Sequence, residues 1–183
     1  MFLVDIQPKT LSAAAAVLVS PIKAFVSASN YEAYVDANYF ADEDSMFFRQ
    51  GEFLLKEVDA GGTATEILAE LERKSAPTFR VKKNTRSCFK GFDSRDLGAF
   101  LRANSIEEIH LVGYDVNDCV LASTYEAVDS GYFTYVIEEL CHNWNGSEQL
   151  KEAALPILRI QGLTNNSTKT ECSIVSLDGD DTL

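Results

Sequence analysis

Short runs of apolar residues alternate with helical patterns along this chain. The first run is Phe2–Val4, and later runs, each interrupted by one polar residue, cover Phe79–Val81, Ile109–Val112 and Tyr132–Ile137. Strands that alternate with helices in this way predict an α/β fold with a parallel sheet. We therefore expect a single three-layer α/β/α domain over residues 1–183, with a mostly parallel sheet of about six strands.

The segments between these runs carry the helical patterns. Thr10–Val19 is alanine-rich, and Pro21 is expected to end it, so that Lys23–Ala28 is predicted to form a second strand. Further helices are predicted from capping residues and apolar spacing. They begin near Thr63 or Thr65, at Asp93 or Ser94, at Cys119 and at Ser147. Pro156 is expected to kink or end the last of them, because proline lacks the backbone N–H.

Two segments give weaker patterns. Residues 30–62 predict no clear element, and their acidic stretch Ala41–Ser45 has two interpretations, a solvated loop or helix start and a cation site. The solvated segment is favoured, because the stretch lacks the spacing, glycine and terminal glutamate of a Ca²⁺-binding loop. The tail from Thr164 onward is polar and is expected to pack loosely or to lie at an interface.

Composition narrows the class of protein and of partner. Apolar residues make up 46% of the chain and charged residues 24%, a balance typical of globular proteins. A formal net charge of −12 repels phosphate backbones, so we expect a small-molecule ligand and no nucleic acid. No apolar run approaches the roughly 20 residues of a membrane span, so we expect no membrane partner.

The cysteines indicate the redox compartment. Cys88, Cys119, Cys141 and Cys172 show neither a CxxC pair nor zinc-like spacing, and in a chain of this length they indicate free thiols. The stretch Leu11–Val19 resembles a signal peptide only weakly, because its upstream region is poor in basic residues. We therefore expect a soluble cytoplasmic protein.

Three chemically capable residues share one structural context. Asp5 ends the first predicted strand, Lys83 ends a middle strand, and Cys119 opens the helix that follows the strand finishing at Gly113. Ligands of an open parallel sheet bind at the carboxyl ends of the strands. These three side chains are therefore expected to share one pocket.

Three stretches surround these residues, namely Gly113–Val120, Lys83–Phe89 and Val4–Gln7. Together they resemble the motifs of the isochorismatase-like cysteine hydrolases. Gly113–Val120 is similar to the family's nucleophile motif, in which a glycine and a short turn precede Cys-Val at the start of a helix, and Thr124–Tyr132 is similar to its continuation. Lys83–Phe89 is similar to the lysine motif, with serine and phenylalanine four and six places after the lysine. Val4–Gln7 matches the opening Asp-x-Gln, whereas residues 30–62 match poorly.

The resemblance implies a Rossmann-like isochorismatase fold and a reaction, the hydrolysis of a C–N bond in a small amide or ureido compound. Cys119 would attack the carbonyl carbon to form a covalent intermediate, and Asp5 would take the thiol proton and pass it to the leaving amine. Lys83 and the N-terminus of the helix would favour the thiolate. The backbone N–H groups of Asp115 and Cys119 would form the oxyanion hole, beside a cis peptide expected at Tyr114–Asp115.

Four residues are candidates to line the predicted pocket and bind the substrate. They are Gln7, Ser87, Phe89 and Tyr114, although aromatic residues in such loops more often serve packing. The chain also departs from the family. Val116 stands where many relatives have threonine, and the Tyr114–Asp115 pair is bulkier and more acidic than the common apolar pair.

The expected cofactors and assembly also follow from the resemblance. His110 and His142 do not fit the Asp-x-His metal site of nicotinamidase-type relatives, so we expect no metal and no other cofactor. A homodimer or homotetramer with pockets near the subunit contacts is implied.

Two other functions stay open. The first is a catalytically silent member that binds a metabolite or a protein partner, which the departures at Tyr114–Asp115 permit. The second is vinyl-ether cleavage of isochorismate. It is disfavoured, because relatives with that chemistry generally do not depend on a cysteine.

Overall fold

The computed structural model describes residues 1–50 and 60–165, and six strands within them form one sheet. The strands are β1 Phe2–Val4, β2 Tyr34–Tyr39, β3 Thr78–Lys83, β4 Glu108–Gly113, β5 Phe133–Cys141 and β6 Thr164–Asn165. Their order across the sheet is β3-β2-β1-β4-β5-β6, and every neighbouring pair is parallel. The predicted α/β fold with a parallel sheet is confirmed.

Helices cover both faces of this sheet. The α-helices of the described residues are α1 Ala13–Ala16, α2 Val19–Ala28, α3 Met46–Gln50, α4 Thr65–Glu72, α5 Ser94–Ala103, α6 Cys119–Asp129 and α7 Glu148–Ile160. Helices α1, α2 and α4 contribute to one buried apolar cluster, and α5, α6 and α7 contribute to the other. The three layers that the sequence predicts are therefore present.

Strand β1 lies at the centre of the sheet and is buried on both faces. Phe2 and Val4 belong to the cluster that contains α6, whereas Leu3 belongs to the cluster that contains α2. This alternation follows from the pleat, which points successive side chains to opposite faces. A short, wholly apolar run is what a central parallel strand requires. The residue after it, Asp5, is thereby held at the carboxyl edge of the sheet.

The prediction of a strand at Lys23–Ala28 is wrong, because these residues end helix α2. Val19, Ile22 and Val26 are its buried residues, with the three- and four-residue spacing of a helix face. Pro21 lies in the first turn, where a backbone N–H has no intrahelical acceptor, so it does not end the helix. The second strand of the sheet comes instead from the segment for which the sequence predicts no element.

Two local predictions on helices need correction. Helix α7 continues through Pro156 to Ile160, because the buried Leu155 and Leu158 hold it against the sheet while Pro156 is exposed. The N-cap of α4 is Ala64 rather than either neighbouring threonine.

The predictions for the acidic stretch and for the polar tail have different outcomes. Residues 41–45 form a mostly exposed turn before α3, as predicted for a solvated loop. Thr164 and Asn165 pair with β5 as the edge strand β6, so the start of the tail is not loosely packed. The rest of the tail, with Cys172, lies outside the described residues. Within the described part of the chain, no helix is long and apolar enough to cross a membrane.

Candidate active site

Three neighbouring parts of the sheet bring Asp5, Lys83 and Cys119 together. Asp5 follows the central strand β1, Lys83 ends β3 on one side, and Cys119 opens α6 after β4 on the other. The Lys83 Nζ lies 2.6 Å from Asp5 Oδ2. The Cys119 thiol lies beside the Asp5 carboxyl group, close enough for each group to shift the pKa of the other. The carboxyl edge of the sheet thus forms one cluster of a thiol, a carboxyl group and an ammonium.

Local backbone contacts hold Asp5 in place. Its φ of 50° lies in the left-handed region, which aspartate tolerates better than most residues. The backbone N–H of Asp5 donates to the carbonyl of Ala37 at 2.8 Å, and the N–H of Tyr39 donates to Asp5 Oδ1 at 2.8 Å. Since Lys83 occupies the other oxygen, both carboxyl oxygens have fixed partners.

Burial and charge oppose each other in the Asp5–Lys83 pair. Burial raises the pKa of Asp5, while the charge and hydrogen bond of Lys83 act against that rise. Burial acts to lower the pKa of Lys83, but the charge of Asp5, the neighbouring Cys119 and Cys88 and the hydrogen bond to Asp5 together outweigh it, so the pKa lies above its usual value. Lys83 therefore stays an ammonium, and Asp5 binds a proton more readily than an exposed aspartate does.

The thiol of Cys119 differs from the expected thiolate. Burial raises its pKa well above the usual value, and Lys83 offsets only part of that rise. The carboxyl groups of Asp5, Asp118 and Asp115 raise it further. The sequence-based expectation of a favoured thiolate is therefore wrong for the resting site. The thiol is protonated at neutral pH and must lose its proton to a neighbour before it can attack.

The turn from Gly113 to Cys119 presents backbone donors beside this thiol. The expected cis peptide between Tyr114 and Asp115 is present. Within the described residues, the backbone hydrogen bonds of the turn take the N–H groups of Val116, Asp118 and Val120 but not those of Asp115 and Cys119. The N–H groups of a helix's first turn have no intrahelical partner, so that of Cys119 is free to bind an anion.

Within the described part of the chain, the side chain of Gln7 forms hydrogen bonds only with backbone groups. Its Oε1 accepts from the N–H of Tyr39 at 3.0 Å, and its Nε2 donates to the carbonyls of Tyr39 at 2.9 Å and of Gly61 at 2.7 Å. The residue is completely buried. These contacts indicate that Gln7 holds the backbone of Tyr39 in place. They favour that role over the predicted contact of Gln7 with substrate.

The other predicted substrate-binding residues also have internal partners. Ser87 Oγ accepts from the N–H of Phe89 at 3.1 Å. The Phe89 ring stacks on Phe2 at 5.5 Å between centroids, near the amino end of β1 and so opposite to Asp5. The Tyr114 hydroxyl donates to the carbonyl of Ala15 at 2.6 Å. The contacts of Phe89 and Tyr114 favour packing, and their role in binding stays a prediction.

Two residues of the site have no place in the sequence-based prediction. The Tyr39 ring centroid lies 5.7 Å from Lys83 Nζ, at the carboxyl end of β2. The Arg86 guanidinium pairs with Asp118 and lies 4.5 Å from the centroid of the Phe47 ring. Recognition of β2 as a strand would have placed Tyr39 at the same edge as Asp5 and Lys83.

Asp115 adds an unusual carboxyl group to the turn. It accepts a hydrogen bond from the backbone N–H of Trp144. Burial, opposed by that hydrogen bond and reinforced by the charges of Asp5 and Asp118, raises the pKa of Asp115 to about 7. The charge of this side chain therefore changes near neutral pH.

The histidines do not form a metal centre of the nicotinamidase type. His110 is hydrogen-bonded to Tyr31 at 2.7 Å and to Glu108 at 2.8 Å, and His142 is hydrogen-bonded to Glu148 at 2.9 Å. Among residues 1–50 and 60–165, no group of three or more His, Cys, Asp and Glu side chains is arranged to hold a metal ion. The described residues thus do not fit a metal site of that type.

Solved structures with the same fold include several hydrolases. N-carbamoylsarcosine amidase from Thermoplasma acidophilum superposes with a TM-score of 0.67 at 21% identity, over 93% of this chain and 97% of that chain. Yeast nicotinamidase Pnc1p bound to nicotinaldehyde superposes with a TM-score of 0.69 at 13% identity, over 90% of this chain and 98% of the other. At these identities the likeness shows the fold alone.

Two sequence comparisons go further. Ureidoacrylate amidohydrolase RutB from Variovorax paradoxus (strain S110) is 32% identical over 97 residues, which are 53% of this chain and about a third (35%) of that relative. The family model of the isochorismatase domain matches residues 1–166, most of the sequence. The resemblance deduced from the motifs is confirmed, and the chain belongs to the isochorismatase domain family.

Proposed function

We propose that this protein hydrolyses a C–N bond of a small amide or ureido compound through a covalent intermediate on Cys119. The observation that carries the proposal is the buried cluster in which Asp5 contacts both the Lys83 ammonium, at 2.6 Å, and the Cys119 thiol. A nucleophile hydrogen-bonded to a base that a third group orients is the arrangement of covalent catalysis. The reaction divides into two half-reactions.

In the first half-reaction the thiol attacks. Asp5 takes the proton of Cys119 as the sulfur forms a bond to the substrate carbonyl carbon, so no free thiolate is needed beforehand. The carbonyl oxygen gains the electron pair and accepts hydrogen bonds from the N–H groups of Asp115 and Cys119. The tetrahedral adduct then collapses, the C–N bond breaks, and Asp5 returns its proton to the leaving nitrogen.

In the second half-reaction water releases the acyl group. Asp5, again a carboxylate, takes a proton from a water molecule whose oxygen attacks the thioester carbon. The C–S bond breaks, and the proton held by Asp5 returns to Cys119. The raised pKa of Asp5 suits a group that must hold a proton during part of each cycle. Lys83 keeps that carboxyl group in position and offsets the negative charge that forms on sulfur.

The names of relatives support the class of substrate. One is a ureidoacrylate amidohydrolase and another an N-carbamoylsarcosine amidase, and both names describe cleavage of a ureido compound. This chain spans about a third of the length of the first, so the activity of that whole protein does not transfer directly. We accordingly propose the bond type and leave the individual compound to a screen.

A catalytically silent protein that binds a metabolite is the second candidate. One observation favours it: Cys119 is only 8% exposed and its pKa is raised. A protein of this kind would bind an amide or ureido compound without releasing ammonia or an amine. Release of ammonia or an amine therefore separates the two candidates.

The test is a screen of small amides and ureido compounds for release of ammonia or amine. The wild-type protein is compared with Cys119→Ala, Asp5→Asn and the control Cys141→Ala, which removes a buried thiol on β5. We expect turnover by the wild type and the control, and loss of at least about 100-fold in the first two variants. Binding without turnover in all four proteins would favour the silent candidate.

We also propose a cytoplasmic location and a homo-oligomer. The cysteines of the described residues, Cys88, Cys119 and Cys141, are all free thiols, as in proteins of reducing compartments. The oligomer is implied by the family resemblance. Light scattering after size exclusion tests it, and a monomer at micromolar concentration would contradict it.

A further inference from the structure

Tyr39 ends strand β2 beside the proposed catalytic cluster. Its backbone N–H donates to Asp5 Oδ1 at 2.8 Å, and its ring centroid lies 5.7 Å from Lys83 Nζ. The side-chain amide of Gln7 binds both the N–H and the carbonyl of Tyr39, so the backbone here is fixed on two sides. The position of this tyrosine is therefore tied to that of Asp5.

The hydroxyl of Tyr39 has no hydrogen-bond partner among the residues that the structure describes. Among the buried side-chain nitrogen and oxygen atoms of the described residues, every other one has a hydrogen-bond partner. Tyr39 itself is only 8% exposed. An unpaired buried hydroxyl costs about 1 to 3 kcal/mol of stability, so such a group calls for a reason. Burial raises the pKa of Tyr39 to about 12, which keeps the hydroxyl protonated and able to donate at neutral pH.

The other buried tyrosine hydroxyls contrast with it. Tyr34 begins the same strand, and its hydroxyl donates to the carbonyl of Ser29 at 3.2 Å. The Tyr114 hydroxyl donates to the carbonyl of Ala15 at 2.6 Å. The chain thus pairs these hydroxyls internally and leaves unpaired the one that lies next to the reacting groups.

Sheet order tells which part of a substrate Tyr39 faces. Strand β2 lies on one side of β1, whereas β4 and the turn with the N–H groups of Asp115 and Cys119 lie on the other. The scissile carbonyl oxygen of a bound compound lies on the β4 side, because these N–H groups are its proposed donors. Tyr39 therefore lies toward the opposite end of a bound compound, with the Phe47 ring 5.5 Å from its own ring as an apolar wall.

We propose that the Tyr39 hydroxyl binds substrate by donating a hydrogen bond to a second oxygen acceptor, distinct from the scissile carbonyl. The inference rests on the proposed function and narrows it to amide or ureido compounds that carry a carboxylate or a further carbonyl. The ammonium of Lys83 near the same ring favours a negative or strongly dipolar acceptor. The empty hydrogen-bond position is filled only when such a compound binds.

The test measures binding separately from turnover. Calorimetry on Cys119→Ala compares the binding of N-carbamoylsarcosine with that of 1,1-dimethylurea, which has the same ureido group but no carboxylate. Each is measured with Tyr39 intact and with Tyr39→Phe added. We expect N-carbamoylsarcosine to bind more tightly than dimethylurea, and Tyr39→Phe to reduce that preference at least about fivefold, as for one lost hydrogen bond.

Stability gives a second readout and a matched control. Tyr39→Phe removes an unsatisfied polar atom and is expected to leave the melting temperature unchanged or higher. Tyr34→Phe removes a bonded hydroxyl at the other end of β2 and is expected to lower stability without changing the ligand preference.

The two proposals fail separately. No preference for N-carbamoylsarcosine, or a preference that survives Tyr39→Phe, would overturn the role of Tyr39 even if the enzyme hydrolyses amides. A preference that depends on Tyr39 in a protein that never turns over would overturn the hydrolase proposal alone.

Discussion

The ammonium of Lys83 lies 2.6 Å from Asp5 Oδ2, and the Lys83 side chain has no solvent-exposed surface. In a buried ion pair of this kind, the loss of one partner leaves an uncompensated charge, so the two residues depend on each other. The pair joins the ends of β1 and β3 across the intervening strand β2. It therefore orients Asp5 toward Cys119 and contributes to the fold at the same time.

Lys83→Met is expected to lower both stability and activity. Methionine fills a similar volume without charge, which leaves the Asp5 carboxylate buried and unpaired at a cost of about 3 kcal/mol. Because the pKa of Asp5 is already raised by burial, it will rise further and the loss will be smaller at acid pH, where Asp5 is protonated. Urea unfolding at pH 5 and pH 8 measures the difference.

The double variant Asp5→Asn with Lys83→Met separates the two roles of the pair. With no buried charge left, stability should recover most of the loss while activity stays below detection. Equal stability losses in the single and double variants would show that the charges are not interdependent.

Asp115→Asn is expected to change the pH dependence of stability. The pKa of Asp115 is raised by burial from 3.8 to about 7, so the folded protein binds this proton more tightly than the unfolded chain does. The stability that the Asp115 carboxyl group contributes is fully present below pH 3.8 and is lost as the pH rises through about 7. Between pH 5 and pH 8 the wild type should therefore lose about 2 to 3 kcal/mol of stability that the variant keeps, as measured by urea unfolding at the two pH values.

The matched control for this measurement is Asp129→Asn, which removes one carboxyl group from the exposed end of α6. A similar retention of stability in the control would mean that total charge, rather than the burial of Asp115, governs the effect.

Labelling of Cys119 by iodoacetamide is expected to be slow at pH 7 and to accelerate beyond pH 9. Burial raises its pKa, and the neighbouring charge of Asp115 adds to that rise. Asp115→Asn should therefore speed labelling at pH 8 by several-fold. Cys88, whose burial raises its pKa to about 11, is the internal reference in the same peptide analysis. Fast labelling of Cys119 that is independent of pH near 7 would contradict this electrostatic account.

Gly113→Ala is expected to disrupt the turn before the nucleophile. The glycine has a φ of 119°, and an added Cβ would lie 2.1 Å from the carbonyl oxygen of Val4. We expect a loss of at least about 3 kcal/mol, or failure to fold. The control is Gly62→Ala, since nothing lies within 4 Å of the Cβ it would add. Thermal unfolding of the two variants measures the contrast, and equal stability would show that the turn yields to the added methyl group.

The apolar runs and the motif residues were sufficient to predict the sheet class and the meeting of Asp5, Lys83 and Cys119. Strand β2 was not predictable in the same way, because Asp36 and Asn38 interrupt its apolar pattern. Both polar side chains are hydrogen-bonded to the hydroxyl of Thr63. This partner lies 25 residues beyond Asn38 in the chain, so no local pattern reveals it. Without β2, Tyr39 could not be placed at the site.

The protonation of Cys119 was mispredicted for a related reason. A helix N-terminus and a lysine are visible in sequence, and both favour the thiolate. The depth of burial and the approach of Asp115 and Asp118 depend on the packed structure, and they reverse the direction of the pKa shift. The electrostatic balance at a buried site therefore depends on the folded structure and not on the local sequence alone.

The most direct test of the central claim is mass spectrometry of the intact protein during turnover of an active compound from the screen, stopped with acid. We predict a covalent adduct with the mass of the acyl part, located on the peptide that contains Cys119, absent from Cys119→Ala and present in Cys141→Ala. Turnover with no adduct on wild type, together with activity retained in Cys119→Ala, would contradict a mechanism through this cysteine.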